Sequence, residues 1–223
     1  MKTFLVIGVG RFGRHLCQKL SGLGYEVMAI DTDEEEIEHV LPYTVNSMIG
    51  DGTNKEFIRS LGPETFDICF VTIGDCFQTS LLATYTLQAC GAKQVVARAS
   101  DEVQEMFLLR NGADAVVYPE REMANWTAIR YSVNNVLNYI ELPGANSIFE
   151  VGVPAYWAGM TIGELDLAGK YHVNIMATKK DDQLDMKIGP DTKLEGGESI
   201  LVYGKDRDLQ RGLNLGNKRF HSD

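Results

Sequence analysis

Residues 3–9 (TFLVIGV) form an apolar run of strand length that leads straight into Gly8, Gly10 and Gly13. Behind these glycines the period changes. Phe12, Leu16 and Leu20 recur at four-residue intervals, the spacing of one helix face. A second short apolar run, Glu26 to Ile30, ends in Asp31, and Thr32 to Leu41 (TDEEEIEHVL) reads as an acid-started helix. The alternation continues. Strands are predicted at Asn46–Ile49, Asp67–Ile73, Gln94–Ala97 and Ala115–Tyr118, with helices at Asn54–Leu61, Phe77–Cys90 and Glu102–Asn111 between them. The run DICFVTI is almost wholly apolar, as in a strand buried on both faces of a parallel sheet. Strand and helix in turn at this spacing predict an α/β, Rossmann-like, doubly wound parallel sheet over residues 1–122.

The rhythm breaks after Glu120. Trp126, Ile129, Val133, Val136, Leu137 and Ile140 give helical spacing, which predicts one long crossover helix over Asn125–Leu142 ending at Pro143-Gly144. Short strands follow at Ser147–Val153, Val173–Thr178, Leu184–Ile188 and Ser199–Tyr203, with a brief helix at Thr161–Leu167 capped by Thr161. The expected organisation is therefore 1–122, a linking helix 123–142, a small α+β lobe 143–208, and a polar, weakly ordered tail 209–223.

The opening stretch carries specific chemistry. Strand, G-x-G-x-x-G, helix, strand and an acid roughly twenty residues on form the dinucleotide-binding fingerprint in its structural setting. Its glycines allow a tight turn, close approach of a phosphate and close helix–strand packing. Free N–H groups at the helix start face the phosphates, and Asp31 can accept from ribose hydroxyls. Each strand of the first lobe also ends in polar groups: Arg11 beyond Gly8, Asp31 with Asp33, Asp51, Asp75, Arg98 and Glu120. Ligands of open parallel sheets bind beyond those strand ends. Arg11 opposes the helix dipole unless an anion neutralises it, and a polyphosphate would do so.

Composition narrows the classes. The formal charge of −10 over 223 residues opposes binding to a nucleic-acid backbone. No apolar run approaches the length of a membrane span. Cys17, Cys69, Cys76 and Cys90 have neither metal-ligand nor C-x-x-C spacing and read as small buried thiols of a reducing cytoplasm. A small NAD-dependent oxidoreductase would need a proton donor near the nicotinamide. His15, His39, His172 and His221 do not fall at strand ends of the first lobe, His15 reads as a helix-surface residue, and no Tyr-x-x-x-Lys pair is present. The chain reads as a nucleotide sensor, not an enzyme.

The segments GVGRFGRHL, VTIGD, ARAS, PEREMA and NVLNYIEL resemble RCK (regulator of potassium conductance) domains, and most closely the regulatory subunits of Ktr/Trk-type bacterial potassium uptake systems. The likeness extends to MTIGELDLAGKYHVNIMATKK and IGPDTKLEGGESILVYG in the second lobe. It implies a cytoplasmic subunit, peripherally attached to the inner face of the cell membrane beneath a membrane-embedded potassium translocator. It also implies homodimers paired through the linking helix and assembled into a ring, an octamer by the same resemblance. A detached regulatory domain of a potassium efflux system is the neighbouring alternative. The implied ligand is ATP or ADP, or NAD(H). The implied site is Gly8, Gly10, Arg11, Phe12, Gly13, Asp31, Thr32, Asp33, Asp51, Gly52, Ile73, Gly74, Asp75, Arg98, Ala99, Ser100, Gln104 and Glu120. Glu120 would help hold a divalent cation (Mg2+ or Ca2+) at the phosphates. Relatives that bind cyclic di-AMP commonly carry an arginine before a Lys-Tyr pair. Here Gly169 precedes Lys170 and Tyr171, so weak or absent cyclic di-AMP binding is expected.

Overall fold

The computed structural model describes residues 2–74, 76–132 and 135–213, which divide into two compact units on either side of the Glu122–Met123 bond. In the first unit β1 (Thr3–Ile7), α1 (Arg11–Gly22), β2 (Glu26–Asp31), α2 (Glu34–Val40), β3 (Asn46–Ile49), α3 (Lys55–Ser60) and β4 (Ile68–Val71) follow in order. Then come α4 (Phe77–Ala89), β5 (Val95–Arg98), α5 (Glu102–Arg110), β6 (Ala115–Val117) and α6 (Pro119–Ser132), the last running on into the second unit. The six strands form one parallel sheet in the order β3-β2-β1-β4-β5-β6. Successive β1 side chains enter opposite cores, as strand period requires. Leu5 and Ile7 pack with Ile58, Val71 and Leu87, whereas Phe4 and Val6 pack with Cys17, Val27 and Val40. The order reverses between β1 and β4, which opens a crevice at their carboxyl ends.

The glycine turn fits that crevice closely. A Cβ on Gly13 would run into the Gly8 carbonyl oxygen and the Thr72 hydroxyl, so only glycine lets α1 start this close to the strand ends.

In the second unit β7 (Val136–Leu142), β8 (Asn146–Gly152), α7 (Ile162–Leu165), α8 (Leu167–Tyr171), β9 (Asn174–Lys180), β10 (Gln183–Asp185), β11 (Ser199–Lys205) and α9 (Asp206–Gly212) surround an antiparallel sheet ordered β10-β9-β11-β8-β7. Its core joins Val136, Tyr139, Phe149, Trp157, Leu194 and Ile200 with the short helices. Thr161 caps α7 in a capping box with Glu164, as its sequence predicts.

Two expectations are corrected. The predicted helix over 125–142 begins earlier, at Pro119, and ends at Ser132; residues 136–142 are strand β7. Val133 lies outside the described residues. Asn135 has φ 64, which breaks helical geometry, and Val136 to Leu142 pair antiparallel with Val151 to Asn146 of β8. Pro143-Gly144 is thus the turn of a hairpin, not a helix stop. The apolar positions keep helical spacing, but the β-branched and aromatic residues find a partner strand only a few residues on. The tail does not begin at Leu209. Residues 206–212 form α9, and Leu209 and Leu213, one turn apart, bury 100% and 95% of their surface in the second core (0% and 5% exposed). Residues 214–223 lie outside the described residues.

Leu209→Ala should therefore destabilise the second unit by about 2–5 kcal/mol, the usual cost of emptying a leucine-sized core site. A melting curve indistinguishable from that of the parent chain would place Leu209 in a solvated tail.

Candidate functional site

A cleft of about 750 Å3 opens at the carboxyl edge of the first sheet, a size suited to a small ligand. Its wall brings together Gly8, Gly10, Arg11, Phe12, Asp31, Thr32, Asp33, Asp51, Gly52, Ile73, Gly74, Arg98 and Glu120 from the sequence-predicted set. Gly13, Ala99, Ser100 and Gln104 lie off this wall. Gly13 sits beneath the turn, Ala99 is fully buried in the core, and Gln104 Oε1 accepts from the Ser100 amide at 3.1 Å. Asp75 lies outside the described residues.

The glycine turn is held from two sides. Asp31 at the end of β2 accepts from the Val9 amide at 2.7 Å through Oδ2 and from the Asp33 amide at 3.1 Å through Oδ1. Thr72, just beyond β4, donates to the Gly8 carbonyl. Asp33 in turn caps α2 by accepting from the Glu35 amide at 2.9 Å. Asp51 folds its own loop by accepting from the Thr53 amide and hydroxyl, both at 2.8 Å.

The wall has two electrostatic ends. Asp31, Asp33, Glu36 and Asp51 gather where β2 and β3 end, offering acceptors to hydroxyl groups. At the other end Arg11 begins α1, exposed and without an ion pair among the described residues, and Gly10 leaves the helix start without a side-chain cap. Arg98 lies 5.9 Å from the Phe12 ring centroid, and its Nη2 is 2.5 Å from Glu120 Oε1. Cations, free helix-start amides and the glycine turn together suit an anionic group. Among the described residues no cluster of three or more histidine, cysteine or acidic side chains could hold a metal ion alone. A cation would need a carboxylate such as that of Glu120 together with oxygens from the ligand.

Ile7, His15, Glu36, Gly50, Thr72 and Thr79 also line the cleft and were not anticipated. His15 is exposed as expected, but it stands one turn after Arg11 on the same helix face, a spacing that could have flagged it. Glu36 follows Asp33 by one turn and is held 2.7 Å from Arg14 Nη2.

The cysteine expectation holds for two thiols only. Cys17 and Cys69 are buried, and burial pushes each up to about 12. Cys76 is exposed ahead of α4, with hydrogen bonding from Thr79 lowering its pKa, and Cys90 is half-buried.

Comparison with known proteins agrees with this architecture. The TrkA-N domain family matches residues 4–119 and the TrkA-C domain family residues 147–214. The chain is 35% identical to Ktr system potassium uptake protein C of Bacillus subtilis, over 94% of this chain and 95% of that one. It is 31% identical to Ktr system potassium uptake protein A of the same organism, over 96% and 97%. The chain belongs to the Ktr potassium uptake protein family. Among solved structures, the GsuK channel superposes with a TM-score of 0.69 at 18% identity, a likeness of fold. The match covers 96% of this chain and 39% of the channel's. A GsuK channel bound to NAD superposes with a TM-score of 0.68 at 17% identity, over 96% of this chain and 39% of that one. The two named relatives are potassium uptake proteins of Ktr systems. No helix among the described residues is long and apolar enough to cross a membrane.

Asp31→Asn replaces one of the two carboxylate oxygens that accept from the Val9 and Asp33 amides with an NH2 group, which faces a backbone amide with another donor. The first unit should lose about 1–3 kcal/mol, the cost of an unsatisfied donor. Chemical denaturation with an unchanged midpoint would show that Asp31 does not hold the turn.

Proposed function

We propose that this chain is a cytoplasmic regulatory subunit that gates a membrane-embedded potassium translocator according to the nucleotide in its first unit. The observation that carries this reading is the two-ended cleft at the sheet's switch point: acceptors for ribose hydroxyls at one end, and Arg11, Arg98 and a glycine-started helix for phosphates at the other. ATP, ADP or NAD(H) has that polarity. The ligand-holding residues are the sequence-predicted ones that line the cleft, joined by Glu36 among the acids and by His15 one turn after Arg11. The subunit works as a homodimer assembled into a ring, peripherally attached at the inner face of the membrane. It regulates transport and catalyses no reaction of its own. Support comes from the family's named potassium uptake proteins and from the NAD-bound GsuK channel, whose fold it shares.

Glu120 offers a carboxylate to a Mg2+- or Ca2+-type cation completed by nucleotide phosphate oxygens. In the second unit, cyclic di-AMP binds weakly or not at all, because no arginine stands before Lys170. Installing one at Gly169 has a cost that the sequence conceals. Its Cβ would sit 2.5 and 2.8 Å from the Asp166 carboxylate oxygens, and that carboxylate caps α8 through the Gly169 amide.

Thermal-shift midpoints with ATP, ADP, NAD and NADH test the reading. Saturation to a hundred times Kd stabilises by about 2.7 kcal/mol, so at least one nucleotide should raise the first unit's midpoint while NADH absorbance stays constant. No shift with any of the four, or steady loss of NADH, would overturn it.

Arg11→Ala should weaken ATP or ADP binding by about 1.5–3 kcal/mol, the scale of a charge-assisted contact. Calorimetric affinity equal to that of the parent would remove Arg11 from the phosphate site. The Asp31 charge should also repel a 2′-phosphate, so NADP should bind far more weakly than NAD. Equal affinities would refute that role.

A further inference from the structure

Arg98 reaches the phosphate end of the cleft already engaged. Its Nη2 is 2.5 Å from Glu120 Oε1, and its guanidinium lies 5.9 Å from the Phe12 ring centroid in the first turn of α1. A Cβ on Gly74 would strike Nη1, so glycine at the end of the β4 loop makes room for this guanidinium. One donor is unspent: Nε is buried and has no hydrogen-bond partner among the described residues. The two partners differ in exposure, the Arg98 side chain being 20% exposed and the Glu120 side chain 57%.

An anion arriving at the glycine turn therefore meets a cation that a carboxylate has neutralised. A phosphate and the Glu120 carboxylate repel each other at close range. One of them must give way or a cation must come between them. Glu120 is the group that can leave, because its carboxylate reaches water at little desolvation cost, whereas Arg98 is the less exposed partner and lies beside Gly74. The strengths agree. A partly exposed ion pair is worth less than about fivefold in affinity, and a charge-assisted phosphate contact about tenfold to a hundredfold.

We infer that Arg98 exchanges partners when an anionic ligand binds: its guanidinium passes from Glu120 to the ligand's phosphate, and the Glu120 carboxylate is released, to water or, where a divalent cation is present, to that cation. Glu120 stands in the first turn of α6, directly after Pro119, while Arg98 ends β5. The exchange therefore removes the bond from β5 to the first turn of α6, leaving the Arg121–Glu105 ion pair at 3.1 Å in place, and makes that turn the element that reads ligand charge. This inference rests on the cleft's being a nucleotide site and adds how occupancy is sensed there.

Calorimetric titration without divalent cations, with ADP and with adenosine as the phosphate-free probe, tests the exchange in the parent chain, Glu120→Gln, Arg98→Gln and the double variant. Removing the competitor in Glu120→Gln should tighten ADP binding about two- to fivefold and leave adenosine unchanged. Arg98→Gln should weaken ADP at least about tenfold. The gain from Glu120→Gln should shrink or vanish once Arg98 is gone. Arg98→Lys, which keeps the charge but loses the planar fork, serves the same comparison if Arg98→Gln does not fold. Unchanged or weaker ADP binding in Glu120→Gln would overturn the exchange and make Glu120 a positioning group for Arg98. An equal or larger gain in the Arg98→Gln background would also overturn it, leaving simple repulsion between Glu120 and the phosphates. A parent chain that binds neither ADP nor NAD would overturn the nucleotide reading and the exchange together. Tight ADP binding without the Glu120→Gln gain sinks the exchange alone.

Discussion

The first unit depends on one carboxylate holding two backbone amides. Asp31 ends β2, yet its oxygens accept from Val9 in the glycine turn and from Asp33 ahead of α2. These bonds set the turn against the neighbouring strand end, and the Thr72 hydroxyl fixes the same turn from β4. With the turn fixed, α1 starts where Gly13 packs against the Gly8 carbonyl, and its first amides face the crevice. The residue that the proposed function assigns to ribose recognition is thus also a structural brace. Function and stability meet in one side chain, as is common where a loop must be held without its own regular hydrogen bonds.

The charges around that turn are sorted, not mixed. Acids lie beyond β2 and β3, while Arg11 and Arg98 lie beside the turn. The chain's net charge of −10 would by itself discourage anions. Local geometry overrides that bulk property, because helix-start amides and two guanidinium groups act at contact distance while distant surface acids are screened within about 8–10 Å in physiological salt. Glu120 is the exception, a carboxylate among the cations, and its bond to Arg98 links the ligand end of the cleft to the first turn of α6.

The second unit is assembled differently. Its core depends on strand pairing between residues close in sequence, as in the β7–β8 hairpin, and on α9 returning to cover the sheet with Leu209 and Leu213. An ion-pair network of Lys179 with Glu150 and Asp182 ties β9 to β8 and to the hairpin turn after β9. Donating to the Asp182 and Glu150 carboxylates raises the Lys179 pKa and favours its charged form.

By itself the sequence determined the first lobe almost wholly. The central strands there are apolar runs and the helices separate segments between them, with β3 (NSMI) the exception, so local pattern and final structure largely agree. The fingerprint glycines and Asp31 named the cleft, because a phosphate turn requires those residue types at that spacing. Tertiary structure decided what pattern could not. Residues 136–142 carry apolar positions at helical spacing yet form a strand, since β8 lies ready to pair their backbone. Leu209 looked like the start of a polar tail but fills a core assembled from distant segments. His15 and Glu36 joined the cleft through helix geometry, and the Arg98–Glu120 bond joins residues 22 apart across two strand ends. Such contacts depend on which elements become neighbours, a choice made by packing over the whole sheet and not written at any single position.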